Sequence, residues 1–384
     1  MAYTHEGTSD APFEAMLLDE RVGGLTAETL TPIVRQATGN PTAVPGAWAI
    51  EPMSGGWGGA VGGTALYRVH GVGWSLVLKV LYERPDEPVD APVYWKREFD
   101  LYRSGLLAQL PPTGLRPPTV YATAEFPEAC WVWLADIAEE KPHWTLDDYH
   151  LVARRLGQFN GAYLTGLPIP TAPWLNVHFH NRLLEPLPET FARLDEGLKR
   201  PLIQRALPLS EKEAILAIWQ EAPRYAEVLT KLPQTLCHND AFRRNMFHSD
   251  NETILIDWAL AGRGAVGEEL VALVAISLYL DSALWADLAQ FDQVVFDGYV
   301  AGLRDAGWPG EARLARLGYL CAMVLRGLAG VRQDVGMLLD EHNPMLRQRE
   351  QDLGSKEAVA DFMADVRRFR LLQMADEARR LLVP

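Results

Sequence analysis

The chain has 384 residues, 48% of them apolar and 22% charged, with a formal net charge of −14. That content supports an ample core in two domains or lobes. The acidic balance argues against a nucleic-acid binder, which needs a basic face, and no run of about eighteen apolar residues marks a membrane span. Cys130, Cys237 and Cys321 are well separated and form no pair motif, and Met1–Asp10 lacks the apolar core of a signal peptide. Both features point to a reducing cytoplasm.

In chain order, Ala27–Thr38 reads as an amphipathic helix capped by Thr26 and ended by Gly39-Asn40. Ala47–Met53 and Leu66–His70 read as strands flanking a stretch, 54–63, rich in glycine, including Gly56, Gly58 and Gly59. Trp74–Leu81 is an apolar strand with one charge, Lys79. A buried ammonium needs an anionic partner, unless the side chain snorkels from an edge strand. Tyr94–Tyr102 is helical, with Trp95, Phe99 and Tyr102 forming an apolar stripe and Glu98 beside it. Trp131–Ile137 reads as a buried strand. Thr145 and Asp148 resemble a capping box opening a helix through Tyr163, with Leu151, Leu156 and Phe159 on its core side. Further helices are expected near 268–285, 288–306, 310–332 and 355–381, with no internal repeat or low-complexity segment.

The segment Leu236–Phe247 contains His238, Asp240 and Asn245 in the pattern H-x-D-x-x-x-x-N. After it, Met246–His248 and Thr253–Ile256 have strand composition around a turn. Pairing His248 with Thr253 sets Asn245 opposite Ile256, next to Asp257. The layout suits phosphoryl transfer: one carboxylate, Asp240, to take the proton of an attacking hydroxyl, and an amide and a second carboxylate, Asn245 and Asp257, to hold Mg²⁺. His238 reads as a loop brace. A zinc site from His238, Asp240 and His248 has no His-x-x-x-His or cysteine pair behind it.

These two motifs resemble the aminoglycoside phosphotransferase and choline kinase superfamily, whose fold is similar to that of protein kinases. Asp257-Trp258 fits its pattern of an aromatic residue after the metal Asp. Residues 259–270 resemble its glycine-rich stretch, with Glu269 where many members carry Asp. The resemblance covers roughly residues 46–335 and implies an α+β, two-lobed protein-kinase-like fold. That fold would comprise an N-terminal helical extension (1–45), a small antiparallel-sheet N-lobe (46–133) and a larger, mostly helical C-lobe (134–384). It implies that Gly56, Gly58 and Gly59 approach phosphate, although the G-x-G-x-x-G spacing and a Walker A sequence are absent and the stretch alone reads as a hairpin tip. It pairs Lys79, on the α- and β-phosphates of ATP, with Glu98, and sets Leu134 and Asp136 near the adenine at the hinge. Arg243 or Arg244 is expected either on the γ-phosphate or in a surface salt bridge.

The implied activity is ATP- and Mg²⁺-dependent transfer to a hydroxyl of a small molecule, such as an aminoglycoside, sugar or amino alcohol. The net charge is compatible with a cationic acceptor, and solubility explains it equally well. Trp174, His178, His180, Glu268 and Trp308 are candidates to line the acceptor pocket. The alternative is a pseudokinase that binds nucleotide or a partner without turnover. A protein kinase is disfavoured, because Asp-Phe-Gly and Ala-Pro-Glu are absent.

Overall fold

Period-two alternation of apolar residues governs the first third of the chain and helical periodicity most of the rest. The computed structural model follows that division. It describes residues 20–53, 63–184, 194–249, 251–340 and 342–382, so Gly56, Gly58 and Gly59 lie outside the described residues. The chain divides into two units. The first comprises Met1–Pro88, Val93–Leu107 and Pro117–Ala138; the second comprises Val89–Pro92, Ala108–Arg116 and Glu139–Pro384.

The first unit is built on a five-stranded antiparallel sheet of β1 (Trp48–Met53), β2 (Thr64–Gly71), β3 (Trp74–Tyr82), β5 (Val120–Phe126) and β6 (Ala129–Ala135), in the order β1-β2-β3-β6-β5. Alternation sends Leu76, Leu78, Val80, Trp131 and Trp133 to one face, where they pack with Leu30, Ile33 and Val34 of α1 (Ala27–Thr38). Thr26 caps α1 by accepting from the Thr29 N–H, and Gly39 ends it at φ +64°. Leu81, Cys130, Val132 and Leu134 occupy the other face with Phe99 of α2 (Arg97–Arg103). That helix starts later than its apolar stripe suggests. The Trp95 N–H donates to Glu87 Oε2 at 2.8 Å, which holds the backbone in the preceding loop.

The second unit is mostly helical. Its first long helix, α3 (Leu146–Leu164), opens on a capping box in which the Thr145 N–H donates to Asp148 Oδ2 at 2.7 Å. Its buried face runs through Tyr149, Val152, Leu156, Phe159 and Tyr163, whereas Leu151 is exposed. The expectation that Leu151 faces the core is corrected by helix geometry: one residue from Val152 is about 100° around the helix. The helix packs closely on α7 (Leu288–Asp305), where a Cβ on Gly157 would lie 2.1 Å from the Tyr299 carbonyl oxygen.

Further helices are α4 (Pro201–Ala206), α5 (Leu209–Lys231), α6 (Leu270–Leu280), α8 (Ala312–Leu339) and α9 (Pro344–Leu353). By length and composition α8 could cross a membrane, but 72% of its apolar window is buried within the protein, as in a core helix. The helix expected over 355–381 is three pieces: α10 (Lys356–Arg367), a π-helical segment Arg368–Gln373 and α11 (Met374–Leu382). Two small sheets complete the unit. One has the order β4-β10-β9, from β4 (Leu115–Arg116), β9 (Met246–Ser249) and β10 (Glu252–Leu255); the other has the order β7-β11-β8, from β7 (Asn176–Val177), β8 (Gln234–Cys237) and β11 (Gly262–Ala265).

Candidate active site

Strand β8 leads into the loop 238–242, a 3₁₀ turn at Arg243–Asn245 and the β9–β10 hairpin. The hairpin pairs Thr253 with His248, and the Ile256 N–H donates to the Asn245 carbonyl at 2.9 Å. This local register sets Asn245 beside the strand end that carries Asp257. The Asn245 side-chain amide donates to Asp240 twice, to the backbone oxygen at 2.9 Å and to Oδ2 at 3.0 Å. His238 is fully buried. Its Nδ1 accepts from the Asp240 N–H at 3.2 Å, so the ring proton sits on Nε2, 3.0 Å from the Ile256 carbonyl. One histidine thus ties the loop to the strand before Asp257. Asn239 (φ +67°) and Asp257 (φ +61°) both adopt left-handed backbone, which these residue types tolerate best after glycine.

A further brace comes from Glu269, noted in the sequence only as a departure from the usual Asp. Its buried carboxylate accepts from the His238 N–H at 2.7 Å and the Asn239 N–H at 3.2 Å. Burial pushes its carboxyl up to about 7, against the pull of those two bonds. Asn160 fixes the other end of the loop: its amide donates to the Leu236 carbonyl at 2.8 Å, and its oxygen accepts from the Tyr299 hydroxyl at 2.6 Å. Two adjacent glutamates before a helix with no charged residue, Leu270–Leu280, were a signal for buried carboxylates that the sequence reading did not use.

In the first unit Lys79 Nζ lies 2.5 Å from Glu98 Oε2, and the Tyr102 hydroxyl donates to Glu98 Oε1 at 3.2 Å. Lys79 stands on central strand β3 opposite Val132, so the edge-strand alternative does not apply. Leu134 is buried on that same face of the sheet. The Asp136 carboxylate accepts from Arg68 Nε at 2.8 Å and from the Ser75 hydroxyl at 2.5 Å.

Of the two expectations for Arg243, phosphate contact or salt bridge, the structure shows a salt bridge. Its guanidinium donates to Glu139 Oε2 at 2.9 Å and to the carbonyls of Lys141 and Pro142, both at 3.0 Å, and its Cζ lies 4.7 Å from the Trp144 ring centre. Those partners come from a stretch about a hundred residues earlier in sequence, and they bind the fork that a phosphate would need. Arg244 is exposed.

Among the pocket candidates, His180 Nδ1 and Glu268 Oε1 meet at 3.6 Å, both side chains fully buried. Burial pulls the His180 imidazole down, with Glu268 opposing. His178 and Trp308 are also buried, Trp308 where its carbonyl accepts from Arg304 at 2.7 Å.

Among the described residues no group of three or more His, Cys, Asp or Glu is arranged to hold a metal. With its Nδ2 turned to Asp240, Asn245 presents Oδ1 as its other polar atom. That oxygen and the Asp257 carboxylate are a hard, sparse donor set. It fits Mg²⁺, which usually completes its shell with phosphate oxygens and water.

A sequence model of the phosphotransferase enzyme family (APH) matches residues 67–309. No curated protein matches the chain by sequence. Solved structures that resemble it include a choline kinase from Cryptosporidium parvum, at 11% identity and TM-score 0.52, covering 93% of this chain and 96% of that one. An amicoumacin kinase in complex with AMP-PNP, Ca²⁺ and Ami matches at 13% identity and TM-score 0.54, covering 83% of this chain and 87% of that one. The microcompartment-associated aminopropanol kinase matches at 14% identity and TM-score 0.52, covering 87% and 94%. The α+β fold, an antiparallel sheet followed by a mostly helical part, is the protein-kinase-like fold of these enzymes.

Proposed function

The chain belongs to the phosphotransferase enzyme family, and on that footing we propose that it moves the γ-phosphate of ATP, with Mg²⁺, to a hydroxyl of a small molecule. The observation that supports this most is the Asp240–Asn245 pair on a loop tied by His238 and Glu269 to the strand before Asp257. Phosphoryl transfer asks the protein mainly for position and charge, and that loop supplies both.

Asp240 would accept the proton of the acceptor hydroxyl as the new bond to phosphorus forms. Asn245 and Asp257 would hold Mg²⁺, which when bound neutralises charge on the phosphates. Lys79, held by Glu98, would take the α- and β-phosphates, with Gly56, Gly58 and Gly59 contributing backbone amides. The backbone of Leu134–Asp136 would receive the adenine, a role that leaves the Asp136 carboxylate with Arg68. Similar structures are named for choline, aminopropanol and amicoumacin kinases, and the last holds a nucleotide analogue with a divalent cation.

The test is Mg²⁺-dependent ADP release across aminoglycosides, sugars, amino alcohols and hydroxy acids, with Asp240→Asn as control. Acceptor-dependent turnover lost in the variant supports the proposal. Nucleotide binding without turnover on any acceptor favours the pseudokinase, and failure to bind nucleotide sinks both.

A further inference from the structure

Beside Asp240 the second unit gathers two guanidiniums that no side chain among the described residues hydrogen-bonds. Helix α8 carries Arg326, and Asp240 is the anion that acts on it against the effect of its burial. The next residue, Gly327, lets α8 approach the π-helical segment closely. A Cβ there would lie 3.0 Å from the Arg370 carbonyl oxygen and 3.1 Å from Leu371 Cβ. Arg326 and Arg370 are thereby neighbours, each only partly exposed. No hydrogen bond or ion pair engages either guanidinium among the described residues, and Arg370 Nε is buried without a partner. A π-helical segment is itself uncommon and recurs at functional sites.

Arg316, on the same helix, shows what a satisfied arginine looks like here. It bonds Asp292 at 2.7 Å and Glu377 at 2.7 Å and 2.8 Å, and those carboxylates hold it above its ordinary value. Arg370 is the reverse: burial first and Arg326 second pull it down to about 10, and the nearby carboxylate of Asp334 does not restore it. Asp334 is itself pushed up to about 6 by burial. Beyond Arg370, Arg349 stacks with its Cζ 3.9 Å from the Tyr279 ring centre, and Tyr279 feels Asp334, Arg349 and Arg370 together. Two adjacent, half-buried guanidiniums without a carboxylate on either are costly unless an anion joins them. The planar fork of arginine is suited to a carboxylate or phosphate.

We propose that the hydroxyl acceptor carries an anionic group, a carboxylate or a phosphate monoester, bound by Arg326 and Arg370 on the side of the second unit that holds Asp240. This rests on the role assigned to Asp240 under phosphotransfer. It reverses the cationic acceptor that the net charge of −14 allowed: the whole chain is acidic, but guanidiniums without a hydrogen-bonded carboxylate lie beside Asp240.

The experiment keeps the two proposals apart. Titration of the full chain with Mg²⁺-ATP decides the nucleotide reading alone. Calorimetric titration with D-glycerate, D-gluconate and glycerol 3-phosphate, each beside glyceramide, gluconamide or glycerol as its uncharged counterpart, decides this one. At least one anion is expected to bind about ten- to a hundredfold more tightly than its neutral counterpart. That preference should collapse in Arg326→Met and in Arg370→Met, and the acid and ester arms name the anion. Equal binding of charged and neutral members, a preference for amino alcohols, or no binding by any anion overturns the proposal while leaving ATP binding to stand on its own. Should the methionine variants fail to fold, the wild-type comparison of anion with neutral counterpart still decides. Arg326→Lys and Arg370→Lys, which keep charge but lose the fork, then report whether the fork is read.

Discussion

The two units hold their candidate functional charges by opposite means. In the first, Lys79 and Glu98 are each other's counter-ion at 2.5 Å, with 10% and 1% of their side chains exposed. In the second, the Asp240 loop is shaped by an asparagine amide that donates to Asp240, and by a histidine ring nitrogen and a buried glutamate that accept from its backbone N–H groups. A mutually neutral pair is part of the fold, because removing either member strands the other. A carboxylate whose loop is shaped by surrounding groups can lose its charge and leave the fold standing. Stability and activity should therefore separate in one unit and travel together in the other.

The largest expected effect tests the second half of that contrast. Asp240→Asn should lower acceptor-dependent turnover by about 10²- to 10⁴-fold, the range for a lost general base. Its unfolding free energy from urea titration should change by no more than about 1 kcal/mol, because the asparagine oxygen can still accept from Asn245. A joint loss of turnover and stability would break the comparison. In the first unit Lys79→Met should cost about 3–5 kcal/mol by leaving Glu98 buried and uncompensated. The double variant Lys79→Met/Glu98→Leu should recover much of that, measured as a thermodynamic cycle in urea. A single variant as stable as wild type would show that the pair is not part of the folding energy.

Glu269 sharpens the contrast, because it is a buried charge in the second unit that has no cation. Its folded-state value of about 7 lies above the ordinary 4.5, so the folded protein holds the proton more tightly than the unfolded chain. The stability this adds is fully present below about pH 4.5 and is lost as pH rises through 7, about 3 kcal/mol in all. Glu269→Gln should flatten that slope between about pH 5 and about pH 8, read from urea midpoints. A slope unchanged in the variant would assign it to another group.

What was legible in the sequence divides along the same line as contact range. The register that sets Asn245 opposite Ile256, the residue before Asp257, was legible because a four-residue turn and one pair, His248 with Thr253, suffice to fix it. Lys79 declared itself as the single charge in an apolar strand, and the order of elements nominated Glu98. Leu151 was misplaced because adjacent helical positions differ by more than a quarter turn, so a loose apolar count cannot choose between Leu151 and Val152. The brace role of Glu269 depends on two backbone N–H groups some thirty residues earlier, and no local pattern encodes that. Nor does one encode the meeting of Arg326 with Arg370, which rests on Gly327 and a π-helical segment free of glycine and proline.

The smallest expected effect separates arginines that the sequence could not rank. Arg243 already donates to Glu139, Lys141 and Pro142, so its truncation should act on structure: Arg243→Ala should cost about 1.5–3 kcal/mol, the range for hydrogen bonds to a charged group. Turnover at saturating ATP should change by less than about threefold, because no bond to the transferring group is lost. Contact with the γ-phosphate predicts the opposite pattern, a fall of about a hundredfold in kcat with little loss of stability, as when an electrostatic stabiliser of the transition state is removed. Urea midpoints and kcat measured on the same variant decide between them. An arginine already engaged by the fold should be felt in stability. One that no side chain hydrogen-bonds, such as Arg326, should be felt first in the affinity for an anion.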